Sequence, residues 1–398
     1  MRVGSPGFQS ERLTEAREAR AITKVALAQL VGRASSTLSN WESGRQTPDP
    51  EALEDLARAL NVSKAFFLKP PSRHGVNPIF FRSLVSATAS YRKRCGARLH
   101  WMQDISITIQ EWVDLPLLNI PNLELPHFKG LRTDDIEAAA DACRKHWRLG
   151  CGPISDVILA MENAGIVVAY DEVESEALDG MSAWSELDGR PYVLLASDKK
   201  TCVRSRFDAA HELAHLILHR NIDSVEFATN LKLIETQAHR FASAFLMPSD
   251  SFPAEIPVLT LDGILALKER WKVSLGAMVY RCKDLEIITD EHASRLFKAR
   301  SARGWRRREP LDDTLEQEAT RLLSRSIKLI IEDAGVSIAT LLDAIRLPAH
   351  DVEVLAGLPI GYLANGDCRV VDLPQPRLKK ETAEKNDNDC KIVPFRRI

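Results

Sequence analysis

The feature that most confines this chain is H-E-x-x-H: His211, Glu212 and His215 sit within Phe207-Asp208-Ala209-Ala210-His211-Glu212-Leu213-Ala214-His215. Apolar residues around it recur at helical spacing over about 204–219. Four residues advance a helix by slightly more than one turn, so both imidazoles project from one face and can hold a single cation such as Zn2+. Glu212 lies beside them, where it can take a proton from water and pass it to a leaving amine. Catalytic zinc keeps three protein ligands and one open position. The fold must therefore bring a third donor to this helix. Glu235 is the best candidate, because it opens a second helical stretch, 234–246, that stops at Pro248 and can turn back on the first. His219, four residues after His215, and His239, four after Glu235, compete for the place. Two histidines and a carboxylate serve several divalent metals, so one Zn2+ per chain is the first expectation and another divalent ion the second.

The surroundings of the motif read as α+β. Helices are expected at 135–147, 154–164, 261–271 and 275–285, and strands at 166–169, 181–184 and 192–196. Trp184 and Tyr192, on strands beside the motif helix, are candidates for lining a substrate cleft with His219 and His239, although core packing is the commoner fate of such residues. An edge strand there could take an extended chain by strand addition.

Residues 8–69 carry apolar positions at short-helix spacing: Leu13, Ile22, Leu27, Leu30, Leu38, Leu53, Leu56 and Leu60. A helix at 23–31, a turn at Gly32 and a second helix at 35–42 give helix-turn-helix spacing. Leu27, Ala28, Leu38 and Trp41 would form the seam between them. Ser35, Ser36, Thr37, Ser39 and Asn40 would face outward, where small polar groups can reach base edges or phosphates in a major groove. Ala34 stands where a capping Ser or Thr is usual, so Ser35 is expected to cap instead.

A linker follows Pro70-Pro71, then a long helical segment, 83–113, with the basic run Arg92-Lys93-Arg94, and a Pro-dotted break from Pro116 to Pro126. Another basic run, Arg303 with Arg306 to Arg308, precedes a second helical region at about 315–357. From about Pro376 the sequence reads as a disordered tail.

With 53 Lys+Arg against 55 Asp+Glu over 398 residues, the formal charge is −2, which excludes a uniformly basic nucleic-acid coat protein. Charge runs are usually solvated faces, so both Arg clusters are read first as that. No stretch is apolar enough for a membrane span, and the seven scattered cysteines contain no C-x-x-C pair. A cytoplasmic protein with no membrane partner and no cysteine metal site is expected.

The sequence resembles two families. L-A-x-L-x-G at 27–32 and T-L-S-N-W-E-S-G at 37–44, with the L-x-x-L-A-x-x-L run from Leu53, resemble the Xre/Cro-type repressors. That resemblance implies base contacts by Ser35, Ser36 and Asn40, and phosphate contacts by Thr23, Lys24 and Arg45, on double-stranded operator DNA. Near-neutral charge implies modest affinity for a monomer, which a homodimer would offset. The runs R-S-R-F-D-A-A-H-E-L-A-H-L-I-L-H and E-T-Q-A-H-R-F-A-S-A-F-L-M-P, at 204–219 and 235–248, resemble the ImmA/IrrE family of zinc metallopeptidases. So do F-F-R-S at 80–83, G-M-S-A-W at 180–184 and P-Y-V-L-L at 191–195. This implies zinc on His211, His215 and Glu235, Glu212 as general base, and cleavage of a repressor or antitoxin-like regulator in phage, mobile-element, toxin–antitoxin or stress control.

The expected architecture is multidomain. An all-α helix-turn-helix domain (1–70) is joined by a linker and long helix (71–130) to an α+β zincin-like metallopeptidase domain with a small sheet (131–300), then a helical region (301–375) and a tail (376–398). The alternative makes the chain a transcriptional repressor or antitoxin-like protein whose peptidase fold is non-catalytic and senses or binds a partner.

Overall fold

The computed structural model describes residues 4–72, 74, 79–81, 89–172, 179–197 and 201–364. The expected tail, residues 83–88 of the expected long helix, and Arg82 and Ser83 lie outside them.

The N-terminal domain comprises α1 (Ser10–Ala19), α2 (Lys24–Leu30), α3 (Ser35–Glu42) and α4 (Pro50–Leu60), closed by a 3-10 turn at Lys64–Leu68. Local chemistry sets the boundaries. Thr23 accepts from the Ala26 amide at the start of α2, and Asp49 does the same for Ala52 with Pro50 in the first turn. Leu13, Leu27, Leu38, Trp41, Leu53, Leu56 and Leu60 are buried, but Leu30 is 64% exposed. In so short a helix the core stripe runs through Leu27, Ala28 and Val31, which turns Leu30 outward. Ala34 is the cap of α3 and offers no side-chain acceptor; Ser35 is the first helical residue and does not take that role.

The spine of the molecule is α5 (Ala89–Ile109), buried on nearly every side, as expected of a helix enclosed by others. Four strands form one sheet: β1 (Phe80–Phe81), β2 (Val167–Asp171), β3 (Gly180–Trp184) and β4 (Pro191–Ala196), in the order β1-β3-β4-β2. β2 runs parallel to β4, with Val168 beside Val193. β3 is antiparallel to both β4 and β1, with Ser182 between Val193 and Phe80. The three longer strands match expectation, while β1 was not foreseen.

The sheet is covered on both faces, which is why its strands are almost continuously apolar. Val168, Val193, Leu195 and Trp184 face α8 (Cys202–Leu218), the helix that carries H-E-x-x-H. Val167, Ala169, Met181, Tyr192 and Leu194 face α5 and the C-terminal helices. Beneath the sheet, α6 (Thr133–His146), α7 (Val157–Asn163), α9 (Ser224–Thr229), α10 (Leu231–Leu246), α11 (Leu261–Trp271), α12 (Leu275–Asp284) and α13 (Asp290–Ala302) complete the α+β unit. The helical region after 310 is α14 (Leu322–Glu332), α15 (Ile338–Ile345) and α16 (Ala349–Ala356), packed against α5. Residues 315–321 are not helical there. Glu318 instead accepts from the Val157 and Ile158 amides at the start of α7 and pairs with Arg206 of α8.

Two buried ionic clusters fasten the N-terminal domain to α5. Arg12 of α1 donates to Asp104 of α5 (3.0 Å), Glu15 and the Pro70 carbonyl, and Asp104 also meets His74 at 3.0 Å. Arg20, just past α1, chelates Asp351 of α16 at 2.6 and 2.8 Å. Arg98 of α5 reaches the same Asp351 and bonds Asp171, at the end of β2, with Nε at 2.7 Å. Trp101 lies under both Arg20 and Arg98.

Candidate metal centre

On α8, His211, Glu212 and His215 are all fully buried against the sheet. α10 packs alongside, and Glu235, in its first turns, reaches across. The Nε2 atoms of His211 and His215 are 3.1 Å apart. The Glu235 carboxylate bridges them, with one oxygen 3.4 Å from His211 and the other 3.5 Å from His215. Zinc–ligand bonds near 2.0–2.1 Å make the edge of a tetrahedral site about 3.3 Å, so these separations fit one small cation shared by three donors. His239, one turn after Glu235 and exposed, also comes close: donor atoms of His211, Glu235 and His239 lie within 4.8 Å of one another. The triad completed by His215 has the shorter separations and is held more firmly.

That hold is a hydrogen-bond relay. His215 Nδ1 meets His219 Nδ1 at 3.0 Å, His219 Nε2 meets Gln237 Oε1 at 3.1 Å, and Gln237 Nε2 donates to the Phe128 carbonyl at 2.6 Å. Read from the Gln237 end, this sets the tautomers: His219 donates from Nε2 and accepts on Nδ1, and His215 donates from Nδ1 and turns its Nε2 lone pair to the cluster. Burial, with His215 adding to it, lowers the His219 pKa to about 3, as a neutral acceptor requires. Both ring nitrogens of His219 are thus occupied away from the cluster, so it orients His215 and turns no lone pair to the cluster.

Glu212 is positioned from the sheet side. Ser182 of β3 donates to Glu212 Oε2 at 2.7 Å. At Gly180 an added Cβ would stand 3.2 Å from Glu212 Cγ, so glycine leaves the room that the carboxylate fills. From the neighbouring strand β1, the Phe80 ring stacks on His215 with centroids 5.1 Å apart and planes 4° from parallel.

The other expected cleft residues are not brought together. Tyr192 is fully buried on the opposite face of the sheet, its hydroxyl donating to Asp188 at 2.6 Å, because strand alternation turns it away from α8. Trp184 is on the α8 face but buried, with Arg220 over its ring at 3.9 Å. The edge of β3 is already paired with β1. Ser182, Gln237, Phe80 and Phe128 received no role from the sequence, although F-F-R-S, G-M-S-A-W and E-T-Q-A-H, which contain the first three, were among the segments that carried the resemblance.

In the helix-turn-helix, Ser35, Ser36 and Arg45 are exposed and Asn40 is half-buried, all on or beside α3. Thr23 caps α2, and the Lys24 ammonium pairs with Glu42 at 2.8 Å. Within the basic runs, Lys93 pairs with Glu18, Arg303 with Asp262 and Arg308 with Asp313. No helix among the described residues is long and apolar enough to cross a membrane.

Fold and site together define a helix-turn-helix protein that carries a metallopeptidase-type domain. Family comparison agrees: residues 161–283 match the IrrE N-terminal-like domain and residues 10–65 a helix-turn-helix domain. The chain thus carries an IrrE N-terminal-like domain behind an N-terminal helix-turn-helix domain. No curated protein gives a match to the chain.

Proposed function

We propose that this is a DNA-binding regulator whose second domain is a zinc-dependent endopeptidase acting on a repressor or other regulatory protein. The observation that carries the reading is the Glu235 carboxylate bridging His211 and His215, with Glu212 held beside them by Ser182. His211, His215 and Glu235 would hold the ion, which when bound supplies Lewis acidity toward a peptide carbonyl. Glu212 would accept the proton of the attacking water and return it to the departing amine. Ser182 fixes the carboxylate for that transfer, and His219 with Gln237 fixes the orientation of His215.

The helix-turn-helix, through Ser35, Ser36 and Asn40, would read an operator, with Thr23, Lys24 and Arg45 toward phosphates and a homodimer supplying the affinity one copy lacks. One observation favours the non-catalytic alternative: His211, Glu212 and His215 have no exposed surface. Metal analysis separates the readings in part. Wild type is expected to carry one zinc per chain after dialysis, with Glu235→Ala and His211→Ala carrying none. No metal in wild type after zinc is offered would overturn the peptidase reading. Glu212→Gln should keep the metal and lose hydrolysis, whereas a sensor would show no hydrolysis to lose.

A further inference from the structure

The outer edge of β3 runs along the candidate base, since Ser182 donates to Glu212 and Gly180 abuts it. An extended protein segment would reach the metal centre by adding to that edge through main-chain hydrogen bonds. The edge is taken by the chain itself. β1, Phe80–Phe81, pairs antiparallel with it, with Phe80 beside Ser182 and Phe81 beside Met181. β1 comes from well upstream of the family-matched segment.

The Phe80 side chain, 1% exposed, fills an apolar pocket of Phe128, Ile222, Phe227 and Ile234. It meets Phe227 edge-on at 5.1 Å and lies flat on His215. The Phe128 carbonyl in the same pocket anchors the relay that orients His215, so pocket and metal ligand share a wall.

We infer that this pocket is a substrate subsite for an aromatic side chain of an extended protein segment, and that Phe80 is its resident competitor. The inference rests on the peptidase reading for the word substrate; occupancy of the edge does not. Among the described residues β1 pairs with β3 at two positions, so a longer incoming strand with an aromatic residue at the matching position would add ladder bonds that these two do not make. This also explains a metal centre with no exposed ligand surface except at Glu235 and His239.

The test uses the full chain, zinc-loaded and chelator-treated, and a fluorescein-labelled peptide copying residues 77–84, followed by fluorescence anisotropy. Its twin carries alanine at the position of Phe80. A resident competitor lowers apparent affinity to the fraction of sites it leaves free; with about one site in ten or fewer free, Phe80→Ala should bind the probe about tenfold or more tighter than wild type. Phe80→Leu, which keeps most of the volume and so the fold, should fall between, and the alanine twin should bind none of them well. Equal affinity for wild type and both variants, or for the two peptides, would overturn the inference. A gain in binding with no probe hydrolysis retains it and counts against the peptidase reading. Hydrolysis without a gain does the reverse.

Discussion

His215 is gripped from two directions, by the Phe80 ring on its face and by His219 at its Nδ1, while its Nε2 faces His211 and Glu235. A side chain held this way would lose little freedom on binding a cation, so outer partners should matter measurably. Gln237→Leu removes the far anchor of the relay and should weaken zinc binding by about 10–100-fold without removing a ligand. Titration against a competing chelator would read this, and unchanged affinity would leave the relay a packing detail. Of this site, the pair on α8 was legible because its geometry is local, one turn of one helix. Glu235 was legible only as one of three choices, since selecting it requires knowing how α10 crosses α8. Ser182 and Phe80 lie in segments that carried the resemblance but received no role, because what brings them to the site is a contact of β3 and β1 with a helix distant in sequence.

Among elements, the turn into β2 combines a left-handed backbone with close quarters. Gly165 has φ +83°, and a Cβ there would stand 2.9 Å from the Leu117 carbonyl oxygen, while Arg190 donates to both Gly165 and Pro116 carbonyls at 2.7 and 2.8 Å. Gly165→Ala combines left-handed strain with a backbone clash and should cost about 1–3 kcal/mol, read as a lower denaturation midpoint with an unchanged slope. In the recognition helix, Asn40→Ala and Ser36→Ala should relax operator discrimination by about 1–3 kcal/mol per lost base contact, measured by competition with non-specific DNA. Loss of binding to both DNAs alike would make them backbone contacts. Most helices were readable from apolar spacing. α9 and α13 were passed over although Asp223 and Thr289 accept amide hydrogen bonds at their starts, because short, polar-faced helices show their caps more clearly than their period.

Across the whole molecule, the ionic clusters of Arg12 and Arg98 decide how the DNA-binding domain sits on the rest. Removing one partner of a buried pair is costly, but Arg98 would keep Asp171, so Asp351→Ala, which takes a carboxylate from both Arg20 and Arg98, should cost about 3 kcal/mol, the low end for such pairs, and loosen residues 4–68 first, as seen by hydrogen exchange. Acid should act on the Arg12 cluster. Burial alone would raise the Asp104 pKa, but the His74 hydrogen bond and the Arg12 charge outweigh it and hold the group at about 2, below its ordinary 3.8. A depressed folded-state pKa gives stability that is present above 3.8 and lost as pH falls through 2. Glu15, on the same arginine, is lifted by burial to about 7, so its share has the opposite sign: fully present below 4.5 and lost as pH rises through 7. Stability of the N-terminal domain should therefore peak between the two ranges, and a flat acid profile in tryptophan fluorescence would refute this.

The sheet with two covered faces has a practical corollary. Residues 161–283 include all of β2, β3 and β4 but neither α5 nor α14 to α16, which cover Val167, Ala169, Met181, Tyr192 and Leu194. An excised fragment with those limits would carry a naked apolar plate on one side and an unpaired strand edge on the other, the surfaces that nucleate aggregation. The matched segment is a unit of inheritance without being a unit of solubility.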